Sequence, residues 1–271
     1  MTGSIVEKYD RRAQSAGSLV CVGLDSDIAR LPQRFDSEDD PQFAFNRWII
    51  DQTHPYASAY KPNIAFYEAR GEAGLRSLAR TVEYLRANHP DILTICDAKR
   101  ADIGSTNQGY VTAIFETLGF DAVTLNPYLG REALAPFLAR TDRGCIILCR
   151  TSNPGAGELQ DLVVDGKPLW QIVAERVSRE WNAGGNCMLV AGATYPAELA
   201  QIRATVGDMT LLVPGVGAQG GDVERTVRAG VNTAGRGVIV NSSRGIIFAD
   251  DPAGAARDLR DAINRARGLN T

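Results

Sequence analysis

Short apolar runs punctuate the chain at nearly regular intervals. They are Leu19–Leu24, Ala57–Tyr60, Ile92–Cys96, Ala122–Leu125, Cys145–Cys149, Met188–Ala191, Thr210–Val213 and Val238–Val240. Each is bounded by polar or turn-forming residues and lacks the polar alternation of a half-exposed strand. Continuous runs of this kind predict strands buried on both faces, hence a parallel sheet. Between them lie amphipathic stretches with helical spacing: Phe43–Gln52, Leu75–Asn88, Tyr110–Leu118, Glu132–Ala139, Leu169–Trp181, Ala197–Val206, Asp222–Ala229 and Ala253–Arg267. Eight strand–helix alternations in about 250 residues predict an α/β fold, a (β/α)8 TIM barrel with an extra helix at the N-terminus. An open doubly wound sheet is the alternative. It usually has fewer strands and carries a glycine-rich dinucleotide turn after its first strand, and none follows Leu24. With no linker, repeat or low-complexity segment, residues 1–271 read as one catalytic barrel domain.

Two stretches break the rhythm. Asp36–Pro41 is acidic and reads as a solvated loop before the first barrel helix. Thr151–Pro168 is long and glycine-rich and follows the fifth strand, where a loop of that length suits a lid or binding loop.

Composition narrows the function classes. The net charge of −3 gives the chain no general affinity for nucleic acid or anionic membranes, so an anionic ligand needs locally placed cations. No apolar stretch is long enough to span a membrane, and Met1–Gln14 lacks the apolar core of a signal peptide, so a cytoplasmic protein is expected. Cys21, Cys96, Cys145, Cys149 and Cys187 lie in or beside apolar runs without a Cys-x-x-Cys spacing, which suits buried thiols. The two histidines, His54 and His89, each precede a proline near an expected helix end and make poor candidates for catalysis. Proton chemistry then falls to Lys, Asp or Glu. Only Lys8, Lys61, Lys99 and Lys167 are lysines, against 25 arginines. A lysine kept in such a chain marks a place where arginine cannot serve, such as proton transfer.

Catalytic groups of this fold come from the C-terminal ends of the strands. In order, those ends carry Asp25, Lys61 in YKPN, Asp97-Ala98-Lys99-Arg100-Ala101-Asp102, Thr151-Ser152-Asn153, the turn Pro214–Gly221, and Asn241-Ser242-Ser243-Arg244-Gly245. Strand alternation puts Asp97 and Lys99 on one side of the backbone, with Asp102 just past the strand. With Lys61 and Asp25 beside them they form an alternating charge array, costly to bury unless its members pair. It serves either as a salt-bridge network fixing the strand ends or as catalytic machinery. The glycine-rich turns after the last two strands suit a phosphate site, with Gln219 and Arg244 as side-chain donors. Arg236 competes with Arg244, but it precedes the eighth strand whereas Arg244 follows it. Ser152 and Asn153 are placed to read the amide-like edge of a heterocycle, or simply to bond the loop.

These motifs resemble the orotidine 5′-monophosphate decarboxylase family, over about Leu19–Pro252. The resemblance rests on GLD (Gly23–Asp25), YKPN (Tyr60–Asn63), DAKRADIGST (Asp97–Thr106), TSNPGAG (Thr151–Gly157), PGVGAQGGD (Pro214–Asp222) and NSSRGI (Asn241–Ile246). Asn63, the long loop and the NSSRGI turn are similar to the longer-chain subgroup. The resemblance implies decarboxylation of orotidine 5′-monophosphate to UMP in pyrimidine biosynthesis, without cofactor or metal, in a homodimer with its site at the subunit interface. It implies that Lys99 protonates C6 once CO2 leaves and that Asp97 lies near the substrate carboxylate. Asp102, with Ile103 and Thr106, crosses to the second subunit's site. Lys61 and Asp25 serve the ribose hydroxyls and the charge network, and Ser152 contacts the pyrimidine edge. Gln219 and Arg244 clamp the phosphate, and Ser243 and Gly245 of the same turn as Arg244 are further substrate-binding residues. The chemistry suits the residue types. Loss of CO2 leaves a localised carbanion, which a fixed ammonium stabilises before donating its proton, and flanking acids favour that ammonium. Two rivals remain. A sister class with the same barrel and Asp-x-Lys-x-x-Asp stretch works with Mg2+ on sugar phosphates and usually adds acids at strand ends, whereas the fourth strand here ends in Asn126-Pro127-Tyr128. A non-catalytic phosphate-binding barrel would not need both lysines.

Overall fold

The computed structural model describes residues 4–216 and 222–269. Eight strands close a parallel barrel: β1 (Val20–Gly23), β2 (Ala59–Lys61), β3 (Leu93–Arg100), β4 (Ala122–Leu125), β5 (Gly144–Arg150), β6 (Cys187–Ala191), β7 (Leu211–Pro214) and β8 (Val238–Ser242). Each pairs with its neighbours in sequence, and β1 closes on β8 with Val20 opposite Val240. The apolar runs are buried on both faces because side chains fill the barrel interior on one side and meet the helices on the other.

The helices are α1 (Ile5–Ser15), α2 (Pro41–Thr53), α3 (Gly71–Asn88), α4 (Gly104–Val111), α5 (Gly130–Leu138), α6 (Leu169–Arg176), α7 (Pro196–Val206), α8 (Val223–Gly230) and α9 (Pro252–Ala266). The extra N-terminal helix is α1. Ser4 and Glu7 form a reciprocal capping box at its start. From it the buried Tyr9 hydroxyl donates to the carbonyl of Val238, Arg12 Nε donates to Ala57 O at 3.0 Å, and Lys8 pairs with Asp121 at 2.8 Å. The helix thus ties strand beginnings together at the end of the barrel opposite the candidate site.

Three local expectations change. The Asp36–Pro41 stretch is not simply solvated. Asp40 caps α2 by accepting from the Phe43 amide at 3.2 Å, and it also takes Ser77 Oγ at 2.6 Å and Arg80 at 3.0 Å. The third strand carries its charged end through Arg100, as expected, with the last residues held against β4 across a bulge. The helix expected at Tyr110–Leu118 begins earlier as α4 and ends in a π-helical turn, Thr112–Thr117. The Thr151–Pro168 loop is folded: a 3-10 turn (Pro154–Ala156), a helical turn (Gly157–Gln160) and a two-residue hairpin pairing Val163–Val164 with Lys167–Pro168. Asp165 and Gly166 turn that hairpin with φ of 50° and 77°. Its short-range turn chemistry was visible as DG, but its strands are too brief to show a period.

Among the described residues, no helix is long and apolar enough to cross a membrane.

Candidate active site

The strand ends at the C-terminal mouth bring three of the expected residues into direct contact. Lys61, last in β2, sends Nζ to Asp97 Oδ2 at 2.9 Å. Lys99 sends Nζ to Asp97 Oδ1 at 2.7 Å. Asp97 is therefore clamped between two ammonium groups. The two lysines differ in setting: the Lys61 side chain is 4% exposed and that of Lys99 is 49% exposed. Lys61 is a buried counter-ion behind Asp97, and Lys99 presents its end to the open mouth.

Ordinary strand alternation does not produce this contact. Lys99 has φ of 48°, a left-handed conformation that breaks the alternation at the bulge between Cys96 and Arg100. The bulge is pinned by Thr124 of β4. Its Oγ1 accepts from the amides of Ala98 (3.0 Å) and Lys99 (2.9 Å) and donates to Asp97 Oδ1 (2.9 Å). One buried hydroxyl therefore fixes both the strained backbone of Lys99 and the carboxylate facing it.

Electrostatics follow from these contacts. Burial alone would raise the Asp97 carboxyl, but Lys61 and Lys99 outweigh it and hold the group well below the usual carboxylate range. Burial works against the Lys61 ammonium, yet Asp97 and then Asp25 raise it above the ordinary lysine value. Both shifts describe a charged, mutually dependent pair.

Asp25 follows β1 and joins through backbone: its Oδ1 accepts from the Asn63 amide at 3.3 Å, and Asn63 bridges to Asp97. The turn carrying Asp25 is braced by Ser26 Oγ, which donates to Asn46 Oδ1 at 2.6 Å, and by the Tyr67 hydroxyl, which donates to Leu24 O at 2.8 Å. Asp102 stands apart from the array. Its carboxylate accepts from the Ile103 amide at 2.7 Å, and its backbone amide donates to Asn107 Oδ1 at 2.9 Å. Ile103 is 62% exposed, and Thr106 is exposed beside it.

A second cavity feature lies beside the array. A pocket of about 430 Å3 is lined by Asp25, Arg30, Asn63, Val216, Asn241 and Arg244, among others. Ser243 lies so close to β1 that a Cβ on Gly23 would sit 1.9 Å from its Oγ, so the turn after β8 requires glycine there. Arg244 and Gly245 are exposed at the start of the helical turn Arg244–Ile247. Arg236 lies at the opposite end of the barrel, in a cavity with Gln14, Gly235 and Arg267, so of the two candidate arginines it is Arg244 that lines the pocket at the mouth. Gln219 lies outside the described residues. Ser152 is half-buried at the end of β5, pressed against Gly192, and the exposed Asn153 accepts from Thr151 Oγ1 at 2.6 Å.

Three lining or bracing residues escaped the motif reading. Thr124 signalled itself only as a lone hydroxyl within an apolar strand. Arg30 lies on a 3-10 turn after β1, with its guanidinium 4.5 Å over the Phe248 ring, and had no motif to mark it. Asn241 was quoted within the last turn, but nothing there showed that it lines the pocket.

A closed parallel barrel with a Lys–Asp–Lys cluster at its mouth, and alongside it a pocket whose charged lining is Asp25, Asp27, Arg30 and Arg244, is the architecture of a (β/α)8-barrel enzyme. Residues 18–259 match the model of the Orotidine 5′-phosphate decarboxylase / HUMPS family. The chain belongs to this family. It is 50% identical over 273 residues, 97% of this chain and 99% of the other, to the orotidine 5′-phosphate decarboxylase of Cellvibrio japonicus. It is 49% identical over 262 residues, 94% and 96% of the two chains, to that of Azoarcus sp.. The OMP decarboxylase structure of Leishmania donovani superposes with a TM-score of 0.88 at 38% identity, covering 98% of this chain and 99% of that one.

Proposed function

We propose that the chain decarboxylates orotidine 5′-monophosphate to UMP in pyrimidine biosynthesis, with Lys99 delivering the proton that replaces CO2 at C6. The activity is the one its half-identical relatives are named for. The observation that carries the residue assignment is the Lys61–Asp97–Lys99 array, in which only Lys99 is open to the mouth.

The reaction follows from those groups. Asp97 stays ionised because two ammonium groups flank it. As the C6–CO2 bond breaks, the electron pair remains on C6, and the Lys99 ammonium stabilises that charge without reorganising. The proton then passes from Nζ to C6, and CO2 leaves neutral. Lys61 balances Asp97, so that Asp97 does not depend on Lys99 alone for its charge. Asp25 and Asn63 face the same pocket as Arg244 and suit the ribose hydroxyls, with Arg244, Ser243 and Gly245 on the phosphate. Gln219 completes this phosphate set in the family resemblance. Ser152 contacts the pyrimidine edge from the end of β5. Binding of the phosphate supplies energy for closing the Thr151–Pro168 loop over the ring.

Asp102 serves a second subunit. It does not touch Lys99 or Asp97 within one chain, and it sits beside exposed Ile103 and Thr106. Tyr128 and Leu129, on the neighbouring turn before α5, are 77% and 48% exposed. That apolar surface suits a two-fold contact which carries Asp102, Ile103 and Thr106 into the partner's mouth.

The test is turnover of the purified chain on orotidine 5′-monophosphate with EDTA present, beside assays on sugar phosphates with Mg2+. Fast metal-independent loss of substrate absorbance supports the reading. Activity confined to sugar phosphates with Mg2+ would assign the chain to the other chemistry.

A further inference from the structure

We propose that Arg150 is a positioning residue: its buried guanidinium latches the base of the Thr151–Pro168 loop and so holds Ser152 in place for the substrate. The inference rests on the reading of Ser152 as a substrate contact.

Arg150 ends β5 and is 3% exposed. A buried guanidinium requires a compensating set of partners. One face lies 4.1 Å over the ring of Tyr195, on the connection after β6. One outer nitrogen donates to Gln160 Oε1 at 3.3 Å, and the other pairs with Asp161 Oδ2 at 3.2 Å. These partners lie ten and eleven positions further along the chain, on the far limb of the loop. The same Gln160 Oε1 accepts from the Thr151 amide at 2.9 Å, while Gln160 Nε2 donates to Thr151 Oγ1 at 2.8 Å. Thr151 Oγ1 in turn donates to Asn153. The near limb, the far limb and the barrel wall are joined at one point, and Ser152 lies inside that joint.

The opposite side of Ser152 is equally restricted. Gly192 donates its amide to Arg150 O at 2.7 Å, and a Cβ at Gly192 would lie 2.9 Å from both the amide nitrogen and Cβ of Ser152. Ser152 therefore has a wall on one side and the Gln160–Thr151 pair on the other. Only arginine suits the latch. A planar fork bonds two acceptors while stacking on an aromatic ring, whereas lysine offers a point charge without the stacking plane.

The variant Arg150→Met is expected to fold, because Asp161 is 48% exposed and its carboxylate is solvated when the latch is lost. Misplacing a contact group by about an ångström costs on the order of 100-fold in rate. Arg150→Met is therefore expected to lower kcat/KM on orotidine 5′-monophosphate by that order, with Arg150→Lys recovering only part. The deciding readout is a double-mutant cycle with Ser152→Ala, alongside melting curves. If Arg150 acts through Ser152, adding Ser152→Ala to Arg150→Met costs less than about threefold, although Ser152→Ala alone is strongly impaired. Full additivity of the two losses, or wild-type turnover in a folded Arg150→Met, would overturn the inference and leave Ser152's role intact. Full activity of Ser152→Ala alone would overturn both the inference and the Ser152 assignment.

Discussion

Lys99 carries its function on a backbone conformation that glycine alone adopts cheaply. At φ of 48° an ordinary side chain is strained by about 1 to 2 kcal/mol. Thr124 holds that strain by satisfying the amides of Ala98 and Lys99, both otherwise orphaned. Two expectations follow. Lys99→Gly should be inactive yet as stable as the parent or up to about 1 kcal/mol more so, by thermal unfolding. Thr124→Val keeps the shape but removes the acceptor, so it should cost about 2 kcal/mol of stability and depress kcat through the shifted Lys99. Asp97 adds an acid-side dependence. Its folded carboxyl is held below its unfolded value of about 3.9. Its contribution to stability is thus full above that pH, starts to fall as the pH drops below it, and is gone only when the pH passes the folded carboxyl's own, much lower value. Urea unfolding from pH 6 down to pH 3 should show Asp97→Asn with a shallower loss than the parent.

At the scale of elements, the close approach of β1 to the turn after β8 offers a separate test of the phosphate pocket. Gly23→Ala places a methyl where Ser243 Oγ now lies, so the turn bearing Arg244 must shift. Its kcat/KM on orotidine 5′-monophosphate should fall by at least about tenfold, while turnover of phosphate-free orotidine changes much less. An equal loss on both substrates would detach the Ser243–Arg244 turn from the phosphate. The same elements show what could be read from sequence. All eight strands were legible because each is buried on both faces and so is apolar without interruption. The charged strand ends were legible because lysine is scarce in an arginine-rich chain. The Lys99 bulge was not, since a left-handed lysine leaves no compositional mark, and its support, Thr124, is a single hydroxyl on a neighbouring strand. Arg150 was equally hidden: it ends an apolar run where an arginine reads as a surface residue. Its partners Gln160 and Asp161 become neighbours only once the loop folds back.

The whole molecule poses the question of whether the mouth is complete within one chain. The array of Lys61, Asp97 and Lys99 closes on itself, whereas the Asp102 carboxylate accepts from the amide of exposed Ile103, with exposed Thr106 nearby. In a two-fold assembly each site takes Lys99 from one chain and Asp102 from the other. Mixing inactive Lys99→Ala with inactive Asp102→Ala under conditions of subunit exchange should then restore activity. Mixed dimers contain one doubly defective site and one intact site, so about a quarter of all sites recover. No recovery, despite mixed dimers detected by mass, would place Asp102 in its own chain's site.

If Lys99 is the proton donor at C6, decay of orotidine 5′-monophosphate absorbance will separate wild type from Lys99→Ala. The array predicts a folded variant that still binds the product UMP yet turns over at least about 1000-fold more slowly. A folded Lys99→Ala within about tenfold of the wild-type rate would contradict the assignment.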